Sequence, residues 1–312
     1  MIVISEDVWS EEFATLHKTF PITHEPDLWN RRDDLKKLLA NADALVVRNR
    51  TSVNREIIES APRLRIIARA GVGLDNIDIA CADERGVVVS AALGINAVAV
   101  GELTLGLALA LLRDVVVRDA STRNGEWNRA AGTEISGKTW GYLGFGATAR
   151  ATSRLISGFG CKEIAYDPYA KDFGKATSRT FEEVISEADI ISVHLPATPE
   201  TMKSINASTL AKMNTTAILI NVGRGEVIDE EALESALRAK KIAGAALDVR
   251  AVEPPKDQRF SDLTNVILTP HIAGITRESQ QAINQVLVSE IERALKGEPQ
   301  EHAVGKVKQV QR

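Results

Sequence analysis

Cysteine is almost missing from this 312-residue sequence: only Cys81 and Cys161 occur, and they do not form a CxxC pair. That excludes a disulfide framework and a cysteine-built zinc site, and it fits a reducing compartment. No excess of basic residues exists either. The formal net charge is −4, so the basic face of a nucleic-acid binder is not expected. Low-complexity tracts are absent. The opening MIVISEDVWSEEF turns acidic before a secretory signal could develop. The nearest approach to a membrane span, residues 98–117, carries Glu102, Arg113 and Asp114. Its uncharged centre falls well short of the ~20 residues a span needs. A buried, tightly packed helix is the expectation for that run, followed by a polar loop from Ser121 to Lys138. No membrane partner and a cytoplasmic location are expected.

What is present is an ordinary globular composition, 44% hydrophobic and 26% charged, at a length that favours two domains. Short runs rich in Val and Ile alternate with helical patterns. MIVI, ALVVR, LRIIARAG and GVVVSAA read as strands, with DLKKLLANA and NREIIESA as helices between them. After the 98–117 run a second set follows: TWGYLGF, EIAYD, IISVHL, AILINV, GAALDV and VILTP as strands, with helices between. SQQAINQVLVSEIERALKG reads as a final amphipathic helix, and the tail after Gly297 as partly extended. Such alternation is the mark of βαβ units and predicts an α/β fold with doubly wound parallel sheets.

The strand TWGYLGF runs directly into Gly144-Phe145-Gly146-Ala147-Thr148-Ala149, a GxGxxA turn that opens a helix. One glycine permits the tight turn and the second lets a pyrophosphate approach the backbone. The small third residue lets helix and strand pack closely. Phosphate would sit on the free N–H groups of that helix. The next strand ends in Asp167, where a carboxylate would accept from the adenosine ribose hydroxyls and repel a 2′-phosphate. NAD is therefore expected over NADP. The plainer reading is a tight strand-to-helix turn with a surface aspartate behind it.

Three ionisable residues follow predicted strands in the same half: Arg224 after AILINVG, Glu253 after GAALDV, and His271 after VILTP. This is the edge at which open α/β sheets bind ligands. Reducing a 2-oxo acid needs a cation for the carboxylate and carbonyl, and an acid to protonate the developing alkoxide. Arginine's planar fork suits the first role. Histidine suits the second, and a carboxylate partner would orient it and favour its charged form. Taken singly, each has a plainer reading as a turn residue, a solvated loop charge or a salt-bridge partner.

Taken together, ARAGVGLDNIDI (68–79), NAVAVGEL (96–103), GKTWGYLGFGATAR (137–150), DPYA (167–170), VHLPATPET (193–201), INVGRGEVIDEEAL (220–233), ALDVRAVEPP (246–255) and LTPHIAGIT (268–276) resemble the D-isomer-specific 2-hydroxyacid dehydrogenase family over nearly the whole chain. The resemblance implies two Rossmann-like domains. A discontinuous, flavodoxin-like substrate domain would take residues 1–97 and regain the C-terminal helix and tail, 278–312. An NAD-binding Rossmann domain would take 98–277. It implies a triad of Arg224, Glu253 and His271, and a homodimer paired through the coenzyme domain.

By the same resemblance, Val72 and Gly73 would offer N–H groups to the substrate carboxylate and Asn96 would support the substrate side. Pro168, His194, Leu195, Pro196 and Thr201 would pass the adenosine side of the coenzyme. Val222, Asp248, Ala273 and Gly274 would line the nicotinamide, with Arg224 and His271 beside it. Three departures stand out. Ala147-Thr148-Ala149 replaces a basic residue followed by Ile-Gly, removing a pyrophosphate cation for which the Thr148 hydroxyl could partly substitute. Arg250 stands where Phe is common. Asn49, in Arg48-Asn49-Arg50-Thr51, replaces a frequent Ser at the substrate mouth.

Arg48 and Arg50 suggest a second anionic group on the substrate, as in 3-phosphoglycerate. A smaller acid, glyoxylate or hydroxypyruvate, is the alternative. A binding protein of the NADH-sensing corepressor type would keep the same triad, so the triad does not exclude it. Formate dehydrogenases of this fold use glutamine where Glu253 stands, which counts against that chemistry. The sequence stops soon after the last helix, so a serine-responsive regulatory domain is not expected.

Overall fold

The computed structural model describes residues 1–8 and 10–310. Two compact units form, one from Met1–Asn96 with the segment from Thr276 onward, the other from Ala97–Ile275. Both are α/β.

The first unit contains β1 (Ile2–Ile4), β2 (Ile22–His24), β3 (Ala44–Val47), β4 (Ile66–Arg69) and β5 (Val88–Ala91). All pair in parallel, in the order β2-β1-β3-β4-β5. This is the flavodoxin-like order, with winding reversed between β1 and β3. A parallel sheet is buried on both faces, which is why its strands read as continuous Val and Ile runs. Alternation then sorts them. Val3, Leu45, Val47, Ile67 and Val89 enter one core, and Ile2, Ile4, Val46, Ile66 and Val88 the other.

The second of these cores is closed from far along the chain. Ile283, Leu287, Ile291 and Ala294, one stripe of the Arg277–Lys296 helix, pack there beside Phe13 and Leu16. A capping box starts the helix: Ser279 N–H donates to Thr276 Oγ1, and Thr276 N–H to Ser279 Oγ, each at 3.0 Å. Gly297, left-handed at φ 76°, ends it. The tail is not loose. It runs back along β5, with Val304 N–H donating to Val89 O at 2.9 Å and Ala91 N–H to His302 O at 3.2 Å. Buried Glu290 secures it by accepting from Glu301 N–H, His302 N–H and the Ser90 hydroxyl. An otherwise open sheet edge is thereby covered.

The second unit contains β6 (Thr139–Leu143), β7 (Lys162–Tyr166), β8 (Thr177–Ser178), β9 (Ile190–Val193), β10 (Ile218–Asn221), β11 (Gly244–Leu247) and β12 (Val266–Leu268). They too are parallel, ordered β12-β11-β10-β9-β6-β7-β8. The winding reverses between β6 and β9, the Rossmann switch point. Register decides where the chemistry goes. Tyr166, Leu143, Val193, Asn221, Leu247 and Leu268 pair side by side as one row across the sheet. The residues that follow them therefore all emerge along one edge.

One expectation needs correction. The run 98–117 is not a single buried helix. Ala97–Leu112 is helical and packs its small residues closely: a Cβ added at Gly101 would come within 3.0 Å of the Thr152 backbone. At Asp114 the backbone turns left-handed, φ 51°, a conformation aspartate tolerates. A separate helix, Val115–Arg123, then follows with no buried residue, so the expected loop begins three residues late. No helix among the described residues is long and apolar enough to cross a membrane.

Candidate functional site

At the switch point of the second unit, β6 delivers Gly144 in the left-handed region at φ 86°. A Cβ there would also meet the His194 backbone at 3.1 Å. Gly144 is thus demanded by the protein itself. Gly146 is not: its φ is an ordinary −78°, and an added Cβ would meet nothing within 4 Å. A glycine with neither a conformational nor a packing reason leaves room for something outside the chain. It is the N-cap of the Ala147–Ile156 helix and makes no side-chain cap bond, and no acid occupies the first turn. Ala149, the small third residue, is buried, while Ala147 is exposed. The turn fits a dinucleotide pyrophosphate.

Asp167 does more than the sequence suggested. Its Oδ2 accepts from Phe145 N–H at 2.7 Å, and Oδ1 from Tyr169 and Ala170 N–H at 2.8 and 3.0 Å. It ties the glycine turn to the end of β7, beside exposed Pro168. Three of its roughly four lone-pair directions are used, leaving one for a ribose hydroxyl. Across the switch point, Thr148 Oγ1 lies 3.0 Å from His194 Nδ1. Leu195 turns its side chain into the core, and Pro196 is exposed. Thr201 donates to Pro196 O at 2.6 Å and fixes that bend.

Further along the edge, the glycines around Arg224 are packing requirements. A Cβ on Gly223 would lie 2.7 Å from Leu195 O, and one on Gly225 only 1.9 Å from the Arg250 carbonyl carbon. Arg224 is therefore presented on a backbone wedged between two other strand ends. Its Nη1 donates to Gly223 O at 2.9 Å, and Asn221 Nδ2 donates to Arg224 O at 3.0 Å. Val222 continues the ladder to Val193 O.

His271 Nδ1 lies 2.6 Å from Glu253 Oε2. Glu253 Oε1 in turn accepts from Arg250 N–H at 3.0 Å. Burial works to raise the Glu253 carboxyl, but the hydrogen bonds from His271 and Arg250 and the charges of His271 and Arg224 hold it below the usual carboxylate range. His271 adopts φ 56°, uncommon for a residue with a Cβ. Buried Asp248 keeps it there: Oδ1 accepts from the Thr269 hydroxyl at 2.6 Å and Ile272 N–H at 2.9 Å, and Oδ2 from Ala273 N–H at 2.9 Å. Asp248, expected only against nicotinamide, is here the staple of the His271–Gly274 loop. Arg250 is explained as well. It forks onto Glu230 with two 2.9 Å bonds and stacks 5.0 Å over the Phe260 ring. A phenylalanine could fill the space but could not bind that carboxylate.

In the first unit, Arg48, Asn49 and Arg50 follow β3, next to the reversal between β1 and β3. Sequence reasoning missed the residue that shapes this loop. Buried Glu6 accepts from Arg48 N–H at 2.8 Å, Arg50 N–H at 3.0 Å and Thr51 N–H at 2.9 Å. Asn76 closes it from the other side by donating to Arg48 O and Thr51 O. The only signal for Glu6 was an acid two residues after an apolar strand. Arg50 lies 5.2 Å over the Trp29 ring. Val72 and Gly73, after β4, make no N–H hydrogen bond among the described residues, and buried Asn96 Oδ1 likewise has no partner there. No cluster of three or more His, Cys, Asp or Glu able to hold a metal occurs among the described residues.

Comparison with known proteins agrees with this geometry. Residues 105–273 match the family model described as D-isomer specific 2-hydroxyacid dehydrogenase, NAD binding domain. A D-3-phosphoglycerate dehydrogenase from Methanocaldococcus jannaschii is 41% identical over 280 residues, 88% of this chain and 53% of that protein. A hydroxypyruvate reductase from Thermotoga maritima is 40% identical over 83% of this chain and 87% of its own length. The chain thus spans about half the length of the phosphoglycerate dehydrogenases it matches. A crystal structure from Thermus thermophilus superposes with a TM-score of 0.91 at 30% identity, covering 97% of this chain and 99% of that one. The second unit is an NAD-binding Rossmann fold, and the chain belongs to the D-isomer specific 2-hydroxyacid dehydrogenase family.

Proposed function

We propose that this protein moves a hydride between NAD and C2 of a D-2-hydroxy acid or the matching 2-oxo acid. The observation that carries the reading is the 2.6 Å contact of His271 Nδ1 with Glu253 Oε2, on the sheet edge that also bears Arg224. An ionised carboxylate only accepts, so Nδ1 keeps its proton and Nε2 is the nitrogen that trades one with the substrate oxygen. Glu253 orients the ring and stabilises imidazolium as it forms. Arg224 binds the substrate carboxylate and polarises the carbonyl through its fork of donors. When bound, NAD supplies the hydride acceptor or donor. Asp167 disfavours NADP.

In this reading residues 98–277 are the coenzyme domain, and 1–97 with 278–312 the substrate domain. Val72, Gly73, Asn96 and the Arg48–Asn49 loop serve the substrate. The arginines of that loop support a phosphorylated three-carbon acid, as does the name of the Methanocaldococcus relative. The second reading, glyoxylate or hydroxypyruvate, is favoured by the Thermotoga relative and by the stacking of Arg50 on Trp29. A second copy of the chain is the proposed partner, seated on the coenzyme domain, where Val115, Val116, Val117 and Trp127 are exposed.

The test is NADH oxidation with 3-phosphohydroxypyruvate, hydroxypyruvate, glyoxylate, pyruvate and 2-oxoglutarate, on parent and His271→Ala proteins. Turnover of at least one acid, lowered ~10²–10⁴-fold by the substitution, is expected. Turnover unaffected by His271→Ala would remove His271 from the mechanism. Silence on every acid with NADH still bound would favour a coenzyme-sensing binding protein.

A further inference from the structure

The turn at Gly144–Ala149 carries Ala147 where the family pattern has a basic residue, and the nearest arginine does not replace that cation. Arg150 is committed elsewhere: its guanidinium bonds Asp172 through both the carboxylate and the carbonyl oxygen, and it stacks 5.0 Å over Phe145. What the turn has instead is a line of hydrogen bonds through the core. Trp140 Nε1 lies 2.9 Å from Ser192 Oγ, Ser192 Oγ 3.1 Å from His194 Nε2, and His194 Nδ1 3.0 Å from Thr148 Oγ1.

The direction of that line follows from what each group can do. An indole N–H only donates, so Ser192 Oγ accepts from Trp140. Ser192 is fully buried, and its Oγ meets two groups among the described residues, the Trp140 indole N–H, which can only donate, and His194 Nε2, the one acceptor for the serine's own proton. Were Nε2 protonated, the serine proton would be buried without a partner, which costs about 1–3 kcal/mol. Nε2 is therefore the acceptor and Nδ1 carries the proton. Thr148 Oγ1 must then accept from Nδ1, which leaves the threonine's own proton to point away from the histidine. Thr148 is the second residue of the Ala147–Ile156 helix, two residues past the open space at Gly146. Burial pushes the His194 imidazole down to about 3, so it remains neutral and the line keeps one direction through the physiological range.

We propose that Trp140, Ser192 and His194 form a one-way hydrogen-bond chain that makes Thr148 an obligate hydroxyl donor to the dinucleotide pyrophosphate, in place of a cation. Thr148 is a binding residue in this scheme, and the other three are positioning residues. The proposal rests on the NAD reading of the turn, and the experiment separates the two.

Histidine-15N-labelled protein without coenzyme, with the His194 signals assigned by their loss in His194→Gln, gives the tautomer directly. Protonation at Nδ1 is expected, and a mixture of tautomers in Ser192→Ala. Equilibrium binding of NADH, ADP and adenosine is then measured by fluorescence or calorimetry for the parent, Thr148→Val and Thr148→Ser. The valine variant should bind NADH and ADP on the order of tenfold more weakly, and adenosine as the parent does. Serine should restore the loss. A proton on Nε2, or parent-like binding of NADH and ADP by Thr148→Val, overturns the chain while leaving the coenzyme site intact. Parent protein that binds neither NADH nor ADP overturns the coenzyme reading and the proposal with it.

Discussion

His194 illustrates how a single side chain writes itself into stability. Its imidazole titrates near 6.5 in an unfolded chain and, through burial, only at about 3 in the folded one. Between those limits the unfolded state holds one more proton than the folded state, so stability rises with pH there and falls on acidification. The slope from this residue approaches ~1.4 kcal/mol per pH unit. We expect the urea midpoint of the parent to fall more steeply between about pH 6.5 and pH 4 than that of His194→Gln, which has no such titration. Equal slopes would mean that His194 does not stay neutral on folding. The placement of Arg224, Glu253 and His271 along one sheet edge was legible at this scale because each follows an apolar run that reads as a strand, and strand ends of parallel sheets converge. Glu6 and Ser192 were not. Their roles depend on partners brought close by sheet register, and nothing in the local sequence of a partner 42 residues away announces it.

At the scale of elements, the loop Arg48–Thr51 is held from within by the Glu6 carboxylate. Glutamine keeps the shape of that side chain but exchanges one acceptor oxygen for a donor, so it cannot receive all three N–H groups. Glu6→Gln should therefore cost ~1–3 kcal/mol, the usual penalty for a buried donor left without a partner. Amide hydrogen exchange at Arg50 and Thr51 should accelerate. Unchanged protection at both would show that Asn76 and the β3 ladder suffice. Element legibility divided along similar lines. The long Val and Ile runs were read as strands because burial on both faces leaves no polar alternation to blur them. The short strands β2 and β8 were missed, since PITHEP has proline on both sides and Thr177–Ser178 is only two residues long. The break at Asp114 was hidden because Val115–Val117 looks like core and is in fact exposed.

For the whole molecule, that exposed valine run and Trp127, 80% exposed, set a mismatch between composition and burial in the second unit. If a second copy covers them, light scattering should give twice the mass of 33.8 kDa for the parent, and Val116→Asp should shift it toward a single chain. A parent that is already a single chain would rule the dimer out. The α/β class and the parallel sheets could be read from the alternation of Val- and Ile-rich runs with helical patterns alone. The return of the last helix to the first unit was implied only by the family resemblance, because the stripe Ile283–Ala294 would by itself suit any apolar face.

The return of that helix has a consequence for how the molecule is made. Ribosomes add about 5–20 residues per second, and the second unit is contiguous while the first is not. The apolar side of β1, β3, β4 and β5 must wait on the order of ten seconds or longer for the helix that seals it. The nascent chain thus completes the second unit before the first, and it is the earlier-synthesised strands β1–β5 that most need shelter from aggregation.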